Sequence, residues 1–298
     1  KNPMQVLRLK NKMGNASNAS SETELRGALA WMVGEEGRGV RNIIEMVSMT
    51  RFDCMIGSSA GMRMAVSQAL HHCGVRSAFG KVLNQQPLMQ NVLADLALES
   101  EAALTLSMRV ARAMDNRTEE NEDLLVRLVT AVGKYWICKR TPNHAYEAME
   151  CIGGSGVMED SMMPRLYREA PVNAIWEGSS NVQCLDVLRA LSKTPDVVAA
   201  FVAEVSKARG AHVALDRLNA DLANDLNDLR EFEYRARDVV DRMALALQAS
   251  LLVRHAPTFV SDAFCNSRLT QVGHHNYGTL PRGVDVAAIL ARATPISN

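Results

Sequence analysis

The sequence predicts a mainly α-helical protein, in which a four-helix bundle follows a short β region and precedes a helical extension. Three observations predict this fold class. From Gly39 onward, apolar residues recur at intervals of three and four, the spacing of a helix with one buried face. Strand-like sequence occurs only within residues 1–33, and Pro195 separates the bundle from further helical segments. A chain of 298 residues is long enough to bury a large core.

The β region is predicted to hold two strands. Val6, Leu7 and Leu9 indicate one strand at 5–9, and a second is predicted at 23–29 after a turn-rich stretch. Two strands alone are marginal in water. The chain opens at Lys1, inside strand-like sequence and without Met, so we expect an N-terminal portion to precede it.

The bundle is predicted to contain four helices, at 39–73, 88–114, 119–152 and 179–191. Pro87 suits the first position of the second helix. Pro142 should kink or break the third, because proline removes one helical hydrogen bond. The run Gly153–Gly156 ends that helix, and a short segment at 165–168 and Pro171 precede the fourth.

Further helices are predicted beyond Pro195, at 196–208, 213–256, 257–271 and 284–293. The segment 213–256 is long enough for two helices. The chain therefore divides into a β region at 1–33, a helical bundle at 34–192 and an extension at 193–298.

Charge and composition exclude several classes. Lys plus Arg and Asp plus Glu both number 33, so no global field attracts nucleic acid or anionic membrane. No apolar run reaches the roughly 18 residues of a membrane span, and Lys1 to Lys12 lack the apolar core of a secretory signal. We expect no membrane partner.

The six cysteines, none in a C-x-x-C pair, lie within apolar helical patterns and are predicted to be buried and reduced, as in a cytoplasmic protein. His71–His72 and His274–His275 are adjacent pairs, and neighbours on a helix point in different directions, so no metal site is predicted.

The sharpest candidate for chemistry is Glu177, between Trp176 and a glycine and directly before a predicted helix that Ser179 or Ser180 could cap. A carboxylate in this setting suits a general base. Alternatively, Glu177 simply complements the positive N-terminus of the helix, and spacing alone favours this second interpretation.

Two further loops have chemistry suited to phosphate. In Gly153–Gly156, glycines allow backbone amides to approach a ligand, although such turns also commonly link helices. In the loop Arg76–Gly80, an arginine could pair with a pyrophosphate or could simply be solvated.

Taken together and in this order, the motifs resemble the acyl-CoA dehydrogenase family. The matching run comprises VGEEGRG at 33–39, Thr50-Arg51, the loop Arg76–Gly80 with Gln86, GGSG at 153–156 and WEGSSN at 176–181. The resemblance covers roughly Gly14 to Leu191. It implies a homotetramer that binds FAD at subunit interfaces and oxidises acyl-CoA thioesters: a carboxylate removes the α proton while hydride leaves the β carbon for the flavin.

The resemblance assigns catalytic roles to two residues. Glu177 matches the base of most members. Other members place their glutamate on the first bundle helix, where this chain has Thr50. Arg51 matches an arginine near the base and takes a supporting role.

The FAD contacts implied by the resemblance are Arg76, Phe79, Gln86, Gly153, Gly154, Trp176, Gly178, Ser179 and Asn181. Ser179 and Asn181 are shorter than the family's usual Thr and Gln. Glu150 replaces the usual Gln before the glycines, which is unfavourable near a pyrophosphate unless the acid points away.

Within the family, the chain most resembles a branch of alkylation-response flavoproteins with a helical extension, on the residues 15–21, 167–173, 175–182 and 184–189. Members of that branch bind double-stranded DNA through the extension and have weak dehydrogenase activity. Two functions therefore stay open: an FAD-dependent acyl-CoA oxidoreductase, or a DNA-binding flavoprotein with vestigial catalysis.

The extension has no net charge, because twelve Lys and Arg balance twelve Asp and Glu from residue 193 onward. Neutrality argues against strong non-specific DNA binding. Arg230, Arg237 and Arg254 could still form a one-sided stripe. The alternative is a solvated helix with ion pairs such as Glu231–Arg235.

Overall fold

Helices dominate the structure, a computed structural model that describes residues 1–228, 230–270 and 276–295. In that part of the chain, the structure has ten α-helices and two small antiparallel sheets, which confirms the predicted mainly α fold class. The pair His274–His275 lies outside the described residues. None of the described helices is long and apolar enough to span a bilayer.

The β region forms one two-stranded sheet from β1 (Met4–Leu9) and β2 (Ser21–Leu25), with Met4 opposite Leu25. The second strand was predicted to reach residue 29, and that boundary is wrong. Gly27 adopts a left-handed conformation with φ of 72°, which turns the chain out of the strand.

Five helices make up the bundle: α1 (Gly39–Val75), α2 (Pro87–Asp115), α3 (Glu120–Ile152), α4 (Met163–Ile175) and α5 (Ser180–Lys193). The short segment predicted at 165–168 is therefore a full helix, α4, which continues through Pro171. Between α1 and α2 stands a hairpin of β3 (Ser77–Ala78) and β4 (Lys81–Val82), in the region predicted as a loop.

Of the kink or break predicted at Pro142, the break does not occur, because α3 runs on through this residue. The turns on either side of it are held by other helices: the Cys138 thiol donates to the Cys54 carbonyl of α1, and the His144 ring contacts the Leu96 carbonyl of α2. Most of the stability of such a helix comes from tertiary packing, which here outweighs the loss of one backbone hydrogen bond.

The extension contains α6 (Asp196–Ser206), α7 (Val213–Asn227), α8 (Phe232–His255), α9 (Thr258–Arg268) and α10 (Val286–Ala293). The long predicted segment 213–256 is thus two helices. Phe201 of α6 and Phe232 of α8 enter one core with Met55 of α1, and Phe264 of α9 enters a second with Leu93 of α2. The extension therefore shares both cores with the bundle.

Buried ion pairs also tie the extension to the bundle. Glu204 of α6, only 2% exposed, accepts hydrogen bonds from Arg109 of α2 and Arg254 of α8. Although burial opposes its ionisation, these donors hold the pKa of Glu204 far below its ordinary value.

The basic stripe that the sequence left open is not formed by Arg230, Arg237 and Arg254. Arg254 points inward to Glu204, while Arg230 pairs with Asp228 and Arg237 donates to the Asn181 side chain. Arg235 pairs with Asp225, so the i,i+4 pair that the sequence suggested with Glu231 is replaced by a contact between α7 and α8. As predicted, all six cysteines are buried and free of disulfides.

Candidate active site

The junction between α4 and α5 forms a left-handed elbow at Glu177 and Gly178. The backbone φ is 57° at Glu177 and 99° at Gly178. A residue with a Cβ rarely adopts this conformation, which costs about 1–2 kcal/mol. The surrounding structure must therefore hold Glu177 in place, and strained positions of this kind concentrate at functional sites.

Side chains from three helices hold the elbow through its two carbonyl groups. The Glu177 carbonyl accepts from Arg51 Nε of α1 at 3.1 Å and from Gln183 Nε2 of α5 at 3.0 Å. The Gly178 carbonyl accepts from Lys134 Nζ of α3 at 2.7 Å and again from Gln183 at 2.9 Å. Helices α1, α3 and α5 thus converge on one peptide segment.

Arg51 supports the backbone of the elbow. Its Nη1 also donates to Asp186 Oδ2 at 2.7 Å, and Asp186 in turn binds both terminal nitrogens of Arg127 at 3.2 and 3.1 Å. Asp186 therefore fixes the orientation of Arg51. The supporting role suggested for Arg51 reaches Glu177 through its carbonyl oxygen, and the carboxylate remains separate from this network.

The Glu177 carboxylate is half-buried and, within the described residues, accepts no hydrogen bond. It is therefore free to take a proton from a ligand. Helix α5 begins three residues later, with Ser179 as its N-cap and no acid in its first turn, and the Ser179 side chain makes no capping bond. The interpretation of Glu177 as a mere complement to the helix N-terminus gains no support from this geometry.

A cleft lies along α4, the helix before the elbow; its lining reaches Asn173 and includes neither Glu177 nor Gly178. It has a volume of about 390 Å³ and lies between α1, α3 and α4, lined mainly by small and apolar residues that include Gly57, Gly61, Met64, Ala145 and Leu166. Asn173 lines it too and accepts a hydrogen bond from the Trp176 indole at 3.1 Å. Its size falls within the range of small-molecule sites.

The hairpin after α1 presents an aromatic side chain to solvent. Phe79 is 98% exposed and has φ of 51°, and Gly80 follows it with φ of 80°. The Gln86 amide donates to the Ala78 carbonyl at 3.0 Å, which fixes the hairpin against the start of α2. Arg76 is exposed and, among the described residues, has no acidic partner.

The glycine turn after α3 leaves its backbone accessible. A Cβ at Gly153 or Gly154 would meet no heavy atom within 4 Å, and φ of Gly153 is 71°. Glu150, the acid that departs from the family pattern, interacts one turn earlier with the Tyr146 hydroxyl and raises the pKa of that phenol. The Glu150 carboxylate thus contacts a residue one helical turn further from the glycines.

The predicted site residues fall at two ends of the bundle. The hairpin and the glycine turn lie together, because the Cys73 thiol near the end of α1 donates to the Cys151 carbonyl near the end of α3. Arg51 at the elbow lies 25 residues before Arg76 along α1, and a helix rises about 1.5 Å per residue, so about 37 Å of α1 separates Arg51 from Arg76 in the hairpin region. Asn181 accepts from Arg237 of α8, which leaves only its amide nitrogen for a ligand.

Sequence reasoning missed Lys134, Gln183 and Asp186. Lys134 is only 1% exposed, and Gln183 is fully buried. The available signal was a lysine surrounded by the apolar face of the third helix, where Val132 and Tyr135 are buried. A polar residue on such a face requires a partner.

Comparison with known proteins gives consistent matches. Residues 37–192 match the family of the acyl-CoA dehydrogenase C-terminal domain. The chain is 42% identical to AidB of Escherichia coli over 273 residues, which is 92% of this chain and 50% of AidB. It therefore spans about half the length of that curated relative.

Solved structures agree. The crystal structure of ACDH-11 of Caenorhabditis elegans in complex with C11-CoA superposes with a TM-score of 0.81 and 28% identity, over 90% of this chain and 51% of that one. An acyl-CoA dehydrogenase of Bacillus anthracis complexed with FAD shares the fold at a TM-score of 0.68 and 17% identity, over 99% of this chain and 60% of that one. With most of the bundle matched by the family and a relative 42% identical, this chain belongs to the acyl-CoA dehydrogenase family.

Proposed function

We propose that this chain supplies the catalytic base and part of the FAD site of a dehydrogenase that introduces a double bond between the α and β carbons of an acyl-CoA thioester. The observation that carries the proposal is the Glu177 elbow: a carboxylate without a hydrogen-bond donor in the described chain, held in a strained conformation just after α4, the helix whose Asn173 lines the cleft. Support comes from the family, whose members use FAD, and from ACDH-11, a structural relative in complex with C11-CoA.

In this proposal Glu177 removes the α proton, and FAD, when bound, accepts the hydride that leaves the β carbon. Arg51 and Gln183 hold the carbonyl of Glu177, so the backbone that carries the carboxylate is fixed before proton transfer. The cleft between α1 and α4 has room for an acyl chain, and its small residues leave that room open. Trp176 closes one side of the elbow through its bond to Asn173.

The residues assigned to FAD fit a cofactor shared between protomers. Gly153 and Gly154 offer open backbone to a pyrophosphate, and Arg76 beside them is a cation without an acidic partner in the described structure. The exposed Phe79 provides an apolar contact, and Gln86 an amide. About 37 Å of helix separates this end from the elbow, more than an extended FAD spans, so the hairpin of one protomer would serve the FAD of another. Trp176, Gly178, Ser179 and Asn181 would face the FAD at the elbow of their own protomer.

This arrangement supports a homotetramer, the assembly typical of the family. DNA binding through 193–298, the alternative function, gains no support from the arginines considered for it, because the half-buried Arg254 pairs with Glu204 and Arg230 pairs with Asp228.

The test is anaerobic flavin bleaching. The FAD-loaded holoenzyme should lose its flavin absorbance on addition of a straight-chain acyl-CoA, and Glu177→Gln should abolish the loss while FAD stays bound. Glu159→Gln, at an exposed carboxylate that pairs with Arg168, is the matched control and should bleach like the wild type. Reduction of the flavin by Glu177→Gln at the wild-type rate would remove Glu177 from the mechanism.

A further inference from the structure

We propose that Lys134 is a positioning residue for the catalytic base: it holds the Glu177–Gly178 elbow by donating a hydrogen bond to the Gly178 carbonyl. The inference rests on the proposed function and deepens it. It assigns a role in the reaction to a side chain of α3 that lies 43 residues before Glu177 in the sequence and makes its contact only in the folded bundle.

Burial of the Lys134 ammonium carries a large desolvation penalty. Its side chain is 1% exposed, between the buried residues Gly133 and Tyr135. A buried ammonium is expensive unless it is paired, and no carboxylate of the described chain forms a salt bridge with it. Burial accordingly lowers the pKa of Lys134. A leucine or methionine at this position would fill the core without that cost, so packing alone does not explain a lysine.

Among the described residues, the one hydrogen-bond partner of the Lys134 side chain is at the elbow. Lys134 Nζ donates to the Gly178 carbonyl at 2.7 Å, the shortest of the four hydrogen bonds to the two elbow carbonyls. The Gly178 carbonyl belongs to the peptide that follows the strained Glu177–Gly178 pair, so the bond from Lys134 restrains the backbone next to Glu177.

The Lys134 charge also acts on the groups around it. Burial lowers the pKa of Lys134 most, whereas the Glu177 carboxylate favours its charged form and Arg51 opposes it. Cys54 is 4% exposed, and burial raises the pKa of its thiol, with the Lys134 cation opposing that rise. Arg51 of α1 and Lys134 of α3 thus place two cations at the elbow, and Lys134 is the one that is shielded from water.

Lys134→Met in the FAD-loaded holoenzyme tests the role. We expect flavin reduction at saturating acyl-CoA to slow by about 100-fold, the loss associated with misplacing a reacting group by about 1 Å, while the Kd for acyl-CoA changes less than about threefold and FAD stays bound. Lys139→Met, at an exposed lysine on the same helix, is the control and should keep the wild-type rate.

Two results would overturn the inference: a reduction rate in Lys134→Met within about threefold of the wild type, or a loss that lies wholly in the Kd for acyl-CoA. If the wild type itself fails to bleach, the proposed function has failed. If the wild type bleaches and Lys134→Met matches it, only the inference on Lys134 has failed.

Chemical rescue keeps the inference testable should Lys134→Met not fold. Lys134→Ala leaves a cavity, and added ethylammonium should restore reduction at least tenfold, because it returns both a cation and a donor to the Gly178 carbonyl. Ethanol, of the same size and uncharged, should restore little. Equal rescue by the two, or none by either in a folded and FAD-loaded Lys134→Ala, would overturn the role.

Discussion

Glu99→Gln should destabilise the protein by about 3 kcal/mol, because Glu99 is the buried acid that joins α2, α3 and α9. The Glu99 side chain is 3% exposed and binds Arg140 Nη2 at 2.9 Å and Arg268 Nη2 at 3.4 Å. Burial opposes ionisation, yet the two arginines lower the pKa of Glu99 from 4.5 to about 2. That fall corresponds to about 3 kcal/mol of stabilisation, in line with about 3–5 kcal/mol for breaking a buried pair.

Urea unfolding at fixed protein concentration measures the change. Glu101→Gln is the control on the same helix: Glu101 pairs with Arg292 at the surface, and such pairs contribute about 1 kcal/mol or less. Because the folded pKa of Glu99 is depressed, its contribution is complete above about pH 4.5 and decreases as pH falls toward 2. The gap in unfolding free energy between wild type and Glu99→Gln should therefore narrow over that range. A loss no larger than that of Glu101→Gln, or a gap independent of pH, would refute the reasoning.

Two further predictions concern buried groups. His144 is fully buried, and its burial lowers its pKa to about 4, so its ring should stay neutral at pH 5.5 in an NMR titration. Because the unfolded chain protonates this ring first, the free energy of unfolding should decrease as pH falls from about 6.5 toward 4. An NMR titration midpoint of His144 near 6.5 would contradict the burial argument. Arg254→Met removes a partner of the buried Glu204 and should cost about 3 kcal/mol in urea unfolding, whereas Arg230→Met, 88% exposed, should change stability by less than about 0.5 kcal/mol; similar effects of the two would contradict the placement of Arg254.

Features that depend on residues close together in the sequence could be predicted. The bundle helices could be located from the sequence because their apolar residues repeat with the helical period, and the boundaries at Pro87 and Ile152 agree with the structure. The continuity of α3 through Pro142 could not be predicted, because it depends on contacts with α1 and α2 that are distant in sequence.

Charge placement was the least predictable feature. The sequence left open a surface stripe that would include Arg254, but its partner Glu204 lies 50 residues away on another helix. Glu177 could be found by motif, whereas the donors that fix it come from α1, α3 and α5. Only the fold brings these four side chains together.

The most direct test of Glu177 as the base is exchange at the α carbon of the substrate. In D2O, the FAD-loaded holoenzyme should incorporate deuterium at the α carbon of a bound acyl-CoA, because proton removal by the carboxylate is reversible. Glu177→Gln, with FAD content and acyl-CoA affinity retained, should show no exchange above the uncatalysed rate. Exchange by Glu177→Gln at the wild-type rate would contradict the account.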